Sequence, residues 1–141
     1  MSNIIGKIAL VALLALACFN NSAAEEFTAS TNIPEAQYPK VDTGRRAHFR
    51  IHAPEAKDVK VDICGKKYDM TRDDTGYWDV VTDPLVVGFH YYFLVVDGVS
   101  VIDPASEAFY GCGRMAGGIE IPEDASAAAY YTFNKDIPHG Q

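Results

Sequence analysis

Aromatic side chains are the residues of this sequence best suited to a chemical task. A flat ring offers a face on which a sugar stacks, and a few polar groups beside it fix the sugar's orientation. The chain places Tyr77 and Trp78 in "GYWDVV", Tyr91 and Tyr92 in "GFHYYFLVVDG", and Tyr110 in "EAFYGCG". Of these, Trp78, Tyr91 and Tyr110 are the candidate carbohydrate-contacting residues. Trp78 also reads as a core anchor, because aromatic residues in alternating strands are usually buried. Tyr91 and Tyr92 are successive residues of an extended run and point to opposite faces, so at most one of them joins a given platform.

Covalent and metal chemistry find less support. A serine hydrolase needs G-x-S-x-G at a strand-to-helix turn. The nearest match, Gly98-Val99-Ser100-Val101-Ile102, lacks the second glycine and lies inside a hairpin strand, so no catalytic residue is assigned. The stretch "GCGRMAGG" from Gly111 to Gly118 has no Lys-Ser/Thr and precedes a β-like run, which argues against a phosphate cradle. His48 and His52 share one face of a strand but lie about 13 Å apart at roughly 3.3 Å per residue, too far for one ion. Asp73-Asp74-Thr75-Gly76 is turn chemistry. No metal and no cofactor is expected.

The formal charge of −7 becomes one unit more negative without Lys7, and phosphate binding wants a clustered basic surface, so nucleic acid is excluded as a partner. Arg45-Arg46 and Lys66-Lys67 read as solvated ends of strands or turns.

The elements that must position these residues follow from periodicity. The 48% hydrophobic and 22% charged content of the 141 residues suits one globular domain. Residues 1–24 are set aside as a secretory signal: Lys7, then the twelve-residue apolar run "IALVALLALACF", then Ser22-Ala23-Ala24 before Glu25. The rival reading makes Cys18 a lipidated first residue after Ala15-Leu16-Ala17, and only then is a membrane surface a partner. Either way the protein is exported, periplasmic or extracellular, where disulfides persist. Cys64 and Cys112 are a candidate disulfide, the other reading being two buried free thiols.

Residues 25–42, polar with two prolines and no period, read as a linker. In "AHFRIHAP", Phe49 and Ile51 face one side while His48, Arg50 and His52 face the other. "VKVDIC" repeats this with Val59, Val61 and Ile63 inward. Phe89 to Val96 is apolar on both faces, which predicts a central strand buried on both sides. Asp97-Gly98 is a strong hairpin signal. Short strands about ten residues apart, with no helical period after the signal, predict an all-β fold, an antiparallel immunoglobulin-like sandwich over residues 43–105. Residues 106–141 are expected to be a Gly-rich extension and connection, with "IEIP" as a short edge strand.

The order Ala53-Pro54, Ala56, Val59, Val61, then "GYWDV", then Gly88, His90, Tyr92, Val96, Asp97, Gly98 and Asp103-Pro104 resembles the family 48 carbohydrate-binding modules. That resemblance implies an early-set immunoglobulin-like sandwich over about residues 40–105. Where glycogen-binding members carry a platform Trp and a Lys, this chain has Ser100 and Phe93. The longer run "VDICGKKYDM … GFHYYFLVVDG … DPASEAFYGCGR … GIEIPE … YY … PHGQ" is similar to the N-terminal module of secreted Bacteroides-type feruloyl and acetyl-xylan esterases of carbohydrate esterase family 1. This resemblance implies a non-catalytic accessory module that packs on or orients a C-terminal α/β-hydrolase domain. That domain carries the Ser-His-Asp triad and would begin near Gln141. The alternative is a carbohydrate-binding module that contacts plant cell-wall xylan or α-glucan through surface aromatics. A third reading, a free-standing cell-surface interaction domain, goes with lipidation at Cys18.

Overall fold

A strand that alternates apolar and polar residues buries one face only, so several of them form a stable fold by stacking as two sheets around one core. The computed structural model describes residues 24–130 and 133–138. In chain order its strands are β1 (Glu26–Thr28), β2 (Lys40–Asp42), β3 (Ala47–His52), β4 (Val59–Ile63), β5 (Lys66–Asp69) and β6 (Thr71–Arg72). There follow β7 (Tyr77–Val81), β8 (Gly88–Val96), β9 (Val99–Val101), β10 (Ala108–Gly111) and β11 (Arg114–Ile121), then one short helix, α1 (Ala125–Ala128). Asp124 caps α1 by accepting from the backbone N–H groups of Ser126 and Ala127. One antiparallel sheet runs β1-β2-β3-β7-β6 and the other β10-β11-β8-β4-β5, with β9 also on β8. The expected immunoglobulin-like β-sandwich is the fold.

The core lies between the sheets. Phe49 and Trp78 from the first meet Val59, Val61, Ile63, Tyr92, Leu94, Ile119 and Ile121 from the second, all buried. Each such side chain contributes about 1.5–3 kcal/mol. The rings of Phe49 and Tyr92 lie 4.9 Å apart across the two sheets.

Strand β8 is central, as expected. Its one edge pairs with β4, from Val59↔Val96 to Ile63↔Tyr92. Its other edge is shared by β11, from Ile121↔Gly88 to Gly117↔Tyr92, and by β9 beyond it. Burial on both faces is not observed. Tyr92 and Leu94 are buried inward, whereas Phe89 and Tyr91 are exposed on the outer face and only Val95 is buried there. The apolar run reflects ring-on-ring packing at the surface rather than a second covering layer.

The sandwich is also longer than residues 43–105. Residues 25–42, expected as a linker, supply β1 and β2, and Val41 and Asp42 are buried. Residues 106–121, expected as an extension, form a hairpin, and "IEIP" begins in the last three residues of the eight-residue β11, which pair with β8 alone, beyond the reach of β10. The two late-recognised segments hold each other. Thr31 donates its hydroxyl to the Gly118 carbonyl at 2.6 Å, Glu107 N donates to Thr31 O at 2.8 Å, and Ile33 N donates to Ala105 O at 3.0 Å. The signal and the lipidation residue Cys18 lie outside the described residues, apart from Ala24.

The residues most specific to the family resemblance fasten the fold. The Tyr92 hydroxyl donates to Asp103 Oδ2 at 2.8 Å in the interior, and Asp103 Oδ1 accepts from Ala105 N at 2.9 Å. Burial pushes the Asp103 carboxyl up from its ordinary value, against the lowering pull of Ala105 N–H and the Tyr92 hydroxyl. Burial, then the Asp103 charge, pushes the Tyr92 hydroxyl upward as well. Asp97 and Gly98 have φ of 48° and 84°, as a tight two-residue turn requires. Asp97 Oδ1 accepts from Lys57 N at 2.8 Å and Asp58 N at 2.9 Å, and these backbone donors hold its carboxyl below the usual range.

Candidate functional site: the outer face of strand β8

Alternation along β8 sends Phe89, Tyr91 and Phe93 to the side away from the core. Phe109 of β10 joins them. The Phe89 ring meets Phe109 at 4.9 Å and 75°, and Tyr91 at 5.1 Å and 81°, the edge-to-face geometry that ring quadrupoles prefer. Two glycines form the floor. A Cβ at Gly118 would stand 2.5 Å from Phe89 Cζ and 2.7 Å from the Phe109 ring, and one at Gly111 would stand 2.2 Å from Tyr91 Cζ. The glycines of "GCGRMAGG" therefore let three rings lie down on the sheet.

Polar groups surround the rings. Arg114 pairs in register with Gly111. Its guanidinium lies 3.8 Å from the Phe93 ring centroid, and its Nη2 donates to Ser100 Oγ at 3.3 Å. His90 Nε2 is 2.6 Å from the Val86 carbonyl oxygen, which can only accept, so Nε2 carries the proton. His90 Nδ1 lies 3.3 Å from the Cys64 sulfur. Partial desolvation in the pocket pushes that thiol upward although the residue as a whole is exposed, which keeps it protonated near neutral pH. Asp62, Cys64, His90, Tyr91, Phe93 and Arg114 line an open pocket of about 400 Å³ here. A second groove, of about 470 Å³ and lined by Phe27, Val87, Phe89, Ile121 and Pro122, adjoins it at the end of the sandwich and shares Phe89.

Of the candidate residues, Tyr91, Cys64 and Cys112 line this pocket, whereas Trp78 and Tyr110 do not. Tyr91 lies in the pocket, 36% exposed, and its hydroxyl has no protein partner among the described residues. Trp78 is 7% exposed and donates Nε1–H to Ala53 O at 2.9 Å, so it is a core anchor and not a platform. Tyr110 is 74% exposed but alternates with Phe109 and Gly111, which face the pocket, so it points to the opposite side of the sheet from Tyr91. Cys64 and Cys112 are free, and both are exposed rather than buried. Cys64 continues β4 and Cys112 turns β10 into β11, with β8 between. Two strand spacings of about 4.8 Å exceed the roughly 7 Å Cα separation that a disulfide spans.

Phe89, Phe109 and Arg114 escaped the sequence reading, although glycines near aromatic residues in adjoining strands were a signal for rings lying on a sheet. The outer face of the other sheet differs in kind. His48 Nε2 contacts Asp42 Oδ2 at 3.0 Å, and Arg50 covers the Tyr77 ring at 4.5 Å while paired with Asp73 and Asp79. Asp73 Oδ1 also accepts from Thr75 N and Tyr77 N, the turn chemistry expected of it. Arg114 has no carboxylate within ion-pair distance among the described residues.

No family model matches the chain. Over 126 residues it is 38% identical to an endo-1,4-beta-xylanase/feruloyl esterase of Xylanibacter ruminicola, a stretch that is 86% of this chain and 17% of that protein. Over 59 residues, 41% of this chain and 10% of that protein, it is 39% identical to a malto-oligosyltrehalose trehalohydrolase of Saccharolobus solfataricus. The chain thus spans about a sixth or less of the length of these relatives. Among solved structures it is similar to a Salmonella typhimurium protein described as a candidate alpha amylase, with TM-score 0.47, 25% identity, 64% of this chain and 15% of that one. It is also similar to a pullulanase of Paenibacillus barengoltzii, with TM-score 0.41, 25% identity, 53% of this chain and 13% of that one.

Proposed function

We propose that this chain is the non-catalytic accessory module of an exported polysaccharide-active esterase of the feruloyl or acetyl-xylan type, and that it packs on or orients the hydrolase domain. The observation that carries the reading is the long match, which takes in 86% of this chain and only 17% of a relative whose name joins xylanase to feruloyl esterase. The site chemistry agrees with it. Among the described residues Ser100 meets Arg114, and no imidazole is placed to activate it. The groove at Phe27, Phe89, Ile121 and Pro122 supplies apolar surface of the kind that domain contacts use. Export rests on the leader read in residues 1–24.

The test is hydrolysis of feruloyl and acetyl esters by the isolated chain, expected at background. Turnover that disappears in Ser100→Ala would sink the proposal. In a longer protein carrying the hydrolase domain, amides around Phe27 and Ile121 are expected to exchange more slowly than in the isolated chain.

A second reading, a carbohydrate-binding module, is favoured by the Tyr91 face: an exposed ring with an unengaged hydroxyl beside an ordered cation. Titration with xylo-oligosaccharides and α-glucans separates the two readings, since binding lost in Tyr91→Ala supports the second.

A further inference from the structure

We infer that the pocket on the outer face of β8 takes a six-membered ring bearing a carboxylate, with Arg114 holding the carboxylate and Tyr91 the ring. This rests on the binding reading of that face and not on the packing of a hydrolase domain. The protein is acidic overall, and several of its other cations are matched to carboxylates: Lys40 to Glu26, Arg50 to Asp73 and Asp79, Lys60 to Asp58 and Asp69, Lys66 to Asp83. Arg114 is held in place by neutral groups instead, the Phe93 ring beneath it and the Ser100 hydroxyl at one Nη. A guanidinium has five N–H donors, and the bond to Ser100 leaves the rest of the fork for a ligand. Because it is fixed before a ligand arrives, it loses less freedom on binding a carboxylate bidentately than a mobile lysine would.

The other surroundings set the class of ligand. Tyr91 presents a ring held on Gly111 and a hydroxyl without a protein partner, next to the strand position of Arg114. Phe93 is covered by the guanidinium, so the ring available for stacking is Tyr91, with the Phe89 edge beside it. His90 is already engaged at both nitrogens, by the Val86 carbonyl and the Cys64 thiol. Asp62 is the one acidic residue lining the pocket, and it pairs in register with Lys67 of β5. A neutral sugar would leave the guanidinium without its charge partner, and a bare inorganic anion would leave the Tyr91 ring unused. A uronic acid on a glycan and an aromatic acid both satisfy the two groups.

The experiment is NMR titration of the full chain with two matched pairs. A xylo-oligosaccharide substituted with glucuronic acid is set against the unsubstituted oligosaccharide of equal length, and ferulate against its methyl ester. The acid of at least one pair is expected to bind about tenfold tighter than its neutral partner, the size of one charge-assisted contact. That preference should shrink as salt rises, and the pair that shows it identifies the source. Arg114→Gln, which keeps a flat amide over Phe93, should erase the preference while the amide spectrum away from the pocket stays that of the folded chain. Tyr91→Ala should weaken both members of the preferred pair. Equal affinity for acid and neutral partner in the unsubstituted protein overturns the inference while leaving the binding reading in place. No shift of pocket resonances with any of the four overturns both. The ester-hydrolysis test of the accessory reading is unaffected in each case.

Discussion

The two faces of strand β8 use the same kinds of residues for different ends. Inward, Tyr92 and Leu94 are engaged: one phenol bonded to buried Asp103, one leucine in the core. Outward, Phe89, Tyr91 and Phe93 lie on glycines or under a guanidinium, and Tyr91 keeps a free hydroxyl among the described residues. The inner face carries the residues that mark the family resemblance; the outer face carries those that differ from it. A motif read along this strand therefore reports how the sandwich is fastened, and the residues between the motif positions report what its surface meets.

The sharpest way to break the comparison is to truncate the two neighbouring tyrosines. Tyr92→Ala removes a fully buried ring packed on Phe49 and should cost about 3–5 kcal/mol in urea unfolding. Tyr91→Ala should cost no more than about 1 kcal/mol, as a surface substitution does. Equal losses would mean that the outer rings are part of the core.

A finer cut takes only the buried hydroxyl. Tyr92→Phe leaves Asp103 in the interior without its side-chain donor, at a cost of about 1–3 kcal/mol. The pH dependence carries a sign. The folded pKa of Asp103 lies above its unfolded value, so the folded state holds the proton more tightly, and its contribution declines as pH rises through the window that opens at the ordinary carboxylate value. Asp97 runs the other way: its folded pKa is lowered, so its contribution is present above the ordinary value and lost as pH falls through the lowered one. Asp103→Asn should flatten the first limb of the stability-against-pH curve and Asp97→Asn the acid limb.

On the outer face, Gly118→Ala should lift the Phe89 and Phe109 rings, lowering stability by about 1–3 kcal/mol and changing the near-UV circular dichroism. Gly111→Ala should cost less, because its clash is with the exposed end of Tyr91, which has room to swing outward.

The smallest effect belongs to the thiols. Cys64 and Cys112 should both react with an aromatic disulfide reagent in the folded, unreduced protein. Replacing both by Ser should shift stability by less than about 0.5 kcal/mol, whereas loss of a native bridge would cost about 2–5 kcal/mol.

Much of the sandwich is legible in the sequence, for identifiable reasons. Strands β3 and β4 alternate cleanly, and the Asp97-Gly98 turn declares itself through the two positive φ values it needs. Strands β1 and β2 were not legible because each is three residues long and set among prolines. Strand β11 was hidden by Gly117 and Gly118, which lower strand propensity while serving the buried Tyr92 and the rings of Phe89 and Phe109. The site was half legible. Tyr91 stood out by type and Trp78 misled by type, since an indole that finds a carbonyl partner such as Ala53 O is at home in a core. Arg114 gave no signal, because its setting, over the Phe93 ring and against the Ser100 hydroxyl, is a property of three-dimensional surroundings.

The clasp between the Thr31 region and the Gly118 region bears on when the protein is finished during synthesis. Its two halves are separated by 87 positions in the chain, and the later half sits on β11, which must itself pair with β8. Strands β1 and β2 can pair with β3 early, but the Thr31 clasp closes only once about residue 121 has left the ribosome. Until then β8 offers an unsatisfied edge along Gly88 to Tyr92, the kind of edge that pairs with a neighbouring chain.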